Sequence, residues 1–447
     1  MKLTKFGKTL LMSALSLGLV LGVTSCVQSY TVGYLYVTGT QTAETTGNGI
    51  ISGFKIDHNT GNLVPINGLP ISSGGVNPGR AVLLNGGRFI YVLNQGTPGN
   101  GGTACTAATP CQASIAQFSI GGNGVLSPQG VNMTPQGYNS FRIISDSGGT
   151  YLYVLDAIAP STSACSLALG TGVTSCGDIT AYKVDSTTGR LTLVVNSQVT
   201  SASGEPLPYF PVPANPIDFI LTQGYVLTLS GTQATGDSVF PYTYAQGTGQ
   251  LTINQNSSQP LNISQATAIV AANNVYVLAN DPDTYTLNGS TYTVPSQILT
   301  FTVGANGALQ QLQGGVVPGD STLTNPVYLI AENKGKWAYV AYQGSNNTTT
   351  GNTESGIAGW VIDPTTKQLN PEISGSPWGT GSGPMCLLED PSYQFFYTAN
   401  FNDSTVTGVS LDQNTGVLNP LSQNHHVKDS FALPGPAAWC LVTGRTS

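Results

Sequence analysis

Charged residues make up only 8% of this chain, so those that recur at a fixed place in a repeated pattern stand out. Two arginines and an aspartate do so, each as the third residue of a segment that usually opens with proline: Pro78-Gly79-Arg80, Ser140-Phe141-Arg142 and Pro216-Ile217-Asp218. The same place in the other repeats is held by Thr267, Tyr328, Cys386 and Ala438. If these segments are strands, side chains at one register point one way. Arg80, Arg142, Asp218 and Tyr328 would then form a ligand-binding wall, the guanidinium forks suiting a carboxylate or phosphate. Asp218 is also a candidate base. The same trio serves equally as a charge network that satisfies itself between neighbouring elements, and both readings stand at this point.

Other chemistry is sparse. Histidine occurs at 58, 425 and 426 only, with no partner spacing for a metal. The Asp/Asn-rich turns lack the ligand spacing and terminal Glu of calcium loops. No Gly-x-Ser-x-Gly elbow or phosphate-binding loop is present. Neither a metal nor a cofactor is expected.

The elements that would carry these residues repeat seven times. Turns rich in Asp, Asn and Gly lie at residues 57–63, 121–126, 185–191, 246–251, 304–309, 363–369 and 412–418. Upstream of each is a run such as Tyr-Leu-Tyr-Val-Thr at 34–38 or Trp-Ala-Tyr-Val-Ala-Tyr at 337–342. Asp and Asn bond their own turn backbone, and Gly takes the positive φ that closes the corner. Seven units of four strands without long helical periodicity predict an all-β fold, a seven-bladed β-propeller with four-stranded blades. The first aromatic run, at 34–38, is a second strand, and Pro436 to Val442 reads as a first strand. The C-terminal strand should therefore close the ring.

Residues 1–25 read as a secretion signal of lysines, an apolar run and small residues. The ending Val23-Thr24-Ser25-Cys26 is that of a bacterial lipoprotein, with Cys26 lipidated. Residues 26–32 would be a lipid-anchored linker and 33–447 the propeller. This predicts a protein of the cell envelope, held by its lipid alone, with Val27 rather than Asp after the cysteine pointing to the outer membrane, on its periplasmic or surface side. Lys2, Lys5 and Lys8 belong to the leader; the remaining 11 basic residues face 21 acidic ones, a net charge of −10. So acidic a chain has no footprint for nucleic acid. Six cysteines remain, and the short spacings predict Cys105–Cys111 and Cys165–Cys176 disulfides. Cys386 and Cys440 can pair or remain buried thiols.

Connections between second and third strands are long, at about 94–112, 157–177, 280–295 and 343–354, as are fourth-to-first connections such as 196–214. They fall on one end of the ring, where binding functions concentrate.

The segments RFIYVLNQ, SDSGGTYLYVLD, FKIDHNTGNLVPI and FFYTANFNDSTVTGVSLDQNTGVLNPL resemble the lactonase family of seven-bladed propellers, which includes the 6-phosphogluconolactonase type and carboxymuconate-lactonizing enzymes. The resemblance spans about residues 30–447 and implies lactone hydrolysis with innermost-strand His and Arg and a Glu after the following strand. Here Pro216-Ile217-Asp218 and Pro326-Val327-Tyr328 stand where Pro-Arg-His would, and Tyr342-Gln343 where Asn-Glu would. Only Asp156 matches an acidic position of the family, as a second candidate base. The expected function is therefore a monomeric module that binds a protein, glycan or small molecule at the loop-rich face. A lactone hydrolase with a rearranged site is the alternative.

Overall fold

The computed structural model describes residues 30–40, 47–84, 86–98, 104–232, 234, 236–253, 258–287, 290–345, 355–425 and 427–444. The leader, Cys26, most of the expected linker and His426 lie outside them.

The aromatic runs are strands buried along their whole length at Phe89–Asn94, Trp337–Tyr342 and Phe395–Asn400. A strand covered on both faces needs a sheet on either side. The chain supplies this with seven antiparallel sheets in a ring. Blade 1 takes its innermost strand from Ala437–Gly444, beside Thr31–Gly39 and Ile50–Asp57. The innermost strands of blades 2 to 7 are Pro78–Leu83, Tyr138–Ser145, Pro216–Thr222, Ala266–Ala271, Pro326–Ala331 and Leu388–Glu389. The C-terminal strand thus closes the ring as expected, with Tyr36 opposite Leu441 and Val37 opposite Cys440.

Five blades split the outermost strand into two short pieces, both paired with the third strand. In blade 1 these are Leu63–Pro65 and Ile71–Ser72. Two of the long loops carry structure that their sequences did not announce: an eight-residue helix, Thr162–Leu169, and a hairpin of Asp283–Leu287 with Ser290–Val294.

Neighbouring blades are joined by one contact used repeatedly. A tyrosine hydroxyl of a second strand donates to the carbonyl of the turn glycine in the next blade. The pairs are Tyr36 to Gly124 (2.7 Å), Tyr91 to Gly189, Tyr153 to Gly249 (3.1 Å), Tyr339 to Gly416 (2.7 Å) and Tyr397 to Gly61 (2.6 Å). The last of these spans the closure between blades 7 and 1. These glycines have φ between 68° and 82°. The aromatic ring two residues before the tyrosine covers most of them: a Cβ on Gly124 would meet Tyr34 at 2.4 Å, and one on Gly416 would meet Trp337 at 2.7 Å. Where blade 6 has Lys367 in place of glycine, blade 5 offers Asn274, whose amide donates to the Lys367 carbonyl at 3.2 Å.

The turn aspartates act as the sequence implied. Asp57, Asp185, Asp363 and Asp412 each accept backbone N–H groups two and three residues on.

All three cysteine pairs are disulfides, with Cα separations of 5.2 Å for Cys105–Cys111, 5.6 Å for Cys165–Cys176 and 5.9 Å for Cys386–Cys440. The last resolves the open alternative at Cys386 and Cys440. It links blade 7 to the closing strand of blade 1.

Two stability outcomes follow. Gly416→Ala puts a side chain at φ 78° against the Trp337 ring, and should cost roughly 1–2 kcal/mol or more in urea unfolding. Deleting residues 435–447 exposes two strand edges and removes the Cys440 link, so soluble yield should collapse. An unchanged melting midpoint in the truncated protein would contradict closure by this strand.

Candidate functional site

Four of the innermost strands begin in a similar way. Asn77, Asn139, Asn215 and Asn325 take left-handed backbone, φ 52–58°, which asparagine tolerates better than most residues. Proline follows three of them, at Pro78, Pro216 and Pro326, where a first strand residue needs no ladder donor. The register then slips by one residue. In blade 4, Pro216 faces Ser230 but Asp218 faces Leu229; blade 6 does the same between Pro326 and Tyr328, and comparable shifts occur in blades 1, 2, 3 and 5. A bulge of this kind re-aims side chains, so strict alternation fails at the rim of the channel.

The result is a cavity of about 490 Å³ at the loop-rich end of the channel, lined by Arg80, Phe141, Arg142, Thr267, Met385 and Trp439, among others. Thr40, Gln95, Gln343 and Phe401, each at the exit of a second strand, complete its rim. Gln343 is held by Asn325, whose amide donates to it at 2.7 Å, and in turn donates to the Met385 sulfur at 3.0 Å.

Three of the expected wall residues form one ionic cluster. Arg142 Nε donates to Asp218 Oδ1 at 3.1 Å, and Arg80 lies 3.6 Å from Asp218 Oδ2. The Asp218 side chain is 2% exposed, against 14% for Arg80 and 23% for Arg142. The carboxylate is thus sealed beneath two guanidiniums that reach the cavity. The Arg80 guanidinium lies 4.3 Å over the Trp439 ring, and Tyr328 meets the same ring edge-on at 5.3 Å. Burial and the like charge of Arg142 pull Arg80 down to about 10, against the attraction of Asp218. It is still a cation at neutral pH. Burial raises Tyr328, with Arg80 opposing.

Other expected positions move. Cys386 does not face the channel: it is fully buried in its disulfide, and Met385 lines the cavity instead. Ala438 does line it, but so does the bulky neighbour Trp439, which alternation had turned away. In blade 6 the lining residue is Val327, with Tyr328 behind it against Trp439. Asp156 is 0% exposed in the interior of blade 3 and is not among the cavity residues.

What sequence reasoning missed is Asp178, the cross-strand partner of Asp156 and also 0% exposed. Burial raises both carboxyls, Asp156 to about 6 and Asp178 well above the usual range, where the charge of Asp156 adds to the effect. The available signal was that the two aspartates bracket one second-to-third connection.

Among the described residues, no three or more His, Cys, Asp or Glu side chains come together as metal ligands. Nor is any helix among them long and apolar enough to cross a membrane. Chemically the cavity offers two cations against one buried anion, aromatic surface and neutral amides. Asp218→Asn would leave two largely buried guanidiniums opposite a neutral amide. It should lower stability by about 3 kcal/mol in denaturant titration.

Compared with known proteins, residues 284–437 match the family model described as lactonase, 7-bladed β-propeller. A candidate 6-phosphogluconolactonase from Bacteroides uniformis superposes with a TM-score of 0.62 at 12% identity, covering 93% of this chain and 100% of that one. The periplasmic gluconolactonase of Pseudomonas aeruginosa gives 0.61 at 16% identity, covering 92% and 99%. Identities this low establish the shared fold alone. No curated protein sequence matches the chain.

Proposed function

We propose that this chain, a seven-bladed β-propeller of the lactonase family, binds a small anionic ligand of the sugar-acid type in its channel mouth. The observation that carries the reading is the charge imbalance at the cavity floor. Asp218 neutralises one of the two guanidiniums, and Arg80 and Arg142 both face the cavity. A carboxylate or phosphate there would receive charge-assisted bonds. Phe141, Met385 and Trp439 add apolar lining beside the guanidiniums, and Gln95 adds a polar side chain at the rim.

The family favours a second reading, hydrolysis of a lactone in the same cavity. Opening the ring needs a base to activate water. The nearest carboxylate, Asp218, already accepts from Arg142 and pairs with Arg80, and Asp156 is buried in blade 3. The arrangement therefore suits holding an anion better than activating water.

Calorimetric titration with gluconate and 6-phosphogluconate should show binding, glucose should show none, and Arg142→Gln should weaken the interaction about tenfold or more. Equal binding of glucose and gluconate, or none of either, would refute the anion reading. Turnover of gluconolactone above the spontaneous rate, lost in Asp218→Asn, would establish the hydrolase instead.

Separately, and on the Val23-Thr24-Ser25-Cys26 ending alone, we propose that the protein is a lipid-anchored monomer of the cell envelope. Cys26→Ala should then release it from membrane fractions. An unchanged membrane-bound level in that variant would remove the anchor.

A further inference from the structure

Blade 3 sets three oxygen-bearing side chains in a row across its strands. Asp156 is the direct partner of Ser140 on one side and of Asp178 on the other. Residues directly opposite across an antiparallel pair share a face of the sheet. All three are closed from solvent, Ser140 at 1% and both aspartates at 0% exposure.

The protein satisfies only one of their carboxylate oxygens. Asp156 Oδ2 accepts from Thr180 Oγ1 at 3.0 Å and from the Gly137 amide at 3.2 Å. Asp156 Oδ1, both oxygens of Asp178 and Ser140 Oγ have no hydrogen bond of good geometry, although Ser140 and Asp178 lie close enough to Asp156, and Thr180 close enough to Asp178, to shift those carboxyls. Burial of such groups is costly unless something compensates them. Among the described residues, the salt bridges are those of Asp218 with Arg80 and Arg142, so no basic side chain serves this pair. The backbone is shaped around it. A Cβ on Gly137 would lie 2.1 Å from Asp178 Oδ1 and 2.6 Å from the Asp156 Cβ.

The corresponding place in blade 7 holds a neutral side chain, whose amide nitrogen is engaged while its Oδ1 has no partner. There Asn400 donates to Thr405 and Thr407 at 2.9 Å each, using neutral groups throughout. Asn94 in blade 2 is likewise engaged with Ser73. Blade 3 replaces this neutral arrangement by two carboxylates.

We propose that Asp156, Asp178 and Ser140 hold a hard divalent cation of the calcium class. Two carboxylates match its charge, and with Ser140 they supply four of the about six to eight oxygens such an ion takes. Binding would displace the proton that burial otherwise keeps on the pair, so it releases a proton to solvent. The ion would act structurally. Asp178 stands two residues after Cys176, so the ion would fix the root of the disulfide-closed loop on the loop-rich face.

The test uses the full chain, dialysed against chelator and titrated calorimetrically with CaCl2, with MgCl2 as the comparator. About one Ca2+ per chain is expected, with proton release seen as an enthalpy that depends on the buffer. A melting midpoint raised by added Ca2+ should accompany it. Asp178→Asn should abolish binding, and Ser140→Ala, which removes one neutral ligand, should weaken it about tenfold. If Asp178→Asn does not fold, Ser140→Ala and the wild type decide alone.

A pair that merely shares a proton behaves differently. Its folded pKa is raised, so stability is present at low pH and is lost as pH rises from the usual carboxylate range through about 6. That loss unchanged by Ca2+, with no stoichiometric binding, would overturn the proposal. Tighter binding of Mg2+ than of Ca2+ would overturn the calcium assignment.

Discussion

The tyrosine hydroxyl that reaches from one blade to the turn glycine of the next is the contact on which the ring depends. It joins two parts of the repeat that lie in different blades: the aromatic strand of one and the corner of its neighbour. Each part constrains the other. The donor needs a bare carbonyl at a fixed height, and the ring two residues earlier needs a corner without a side chain. Propeller sheets pack face to face through apolar side chains, and such packing alone tolerates sliding. A directional bond at the same place in five junctions fixes how far each blade is rotated against the next. The channel radius, and with it the spacing of Arg80, Arg142 and Asp218, depends on that rotation.

This coupling also explains why the fold was so legible. Turns of the Asp-x-x-x-Gly type and strands of the Tyr-x-Tyr-Val type are conspicuous because two elements must match, and seven copies average out local irregularity. The disulfide loops were legible for the same local reason. Cys386–Cys440 was not, because its partners are remote in sequence and only ring closure brings them together.

The site was legible in part. Arg80, Arg142 and Asp218 share a register and do meet, so counting from the strand opening worked for them. It failed at Cys386, Val327 and Trp439, because a bulge adds one residue to each strand at the rim and two-residue alternation cannot anticipate the slip. Asp178 was overlooked for a different reason. Asp156 and Asp178 flank one second-to-third connection, but flanking alone does not say that the two side chains meet, and that appears only when the register sets them opposite each other.

The closing strand of blade 1 has a consequence for how the molecule comes into being. Its two partners, Thr31–Gly39 and Ala437–Gly444, are the first and last described strands, so their pairing has the longest sequence separation available. Blades 2 to 7 each draw their strands from one continuous stretch and can fold locally. Blade 1 must wait, with the edge of Thr31–Gly39 open, until the far end of the chain arrives. During that interval the nascent ring is a horseshoe with an adhesive edge, the state most prone to pairing with another copy. Oxidation of Cys386 with Cys440 comes after arrival and converts a reversible docking into a covalent one. The disulfide is then a record that assembly finished, and a chain lacking it is distinguishable from a finished one by its free thiols alone.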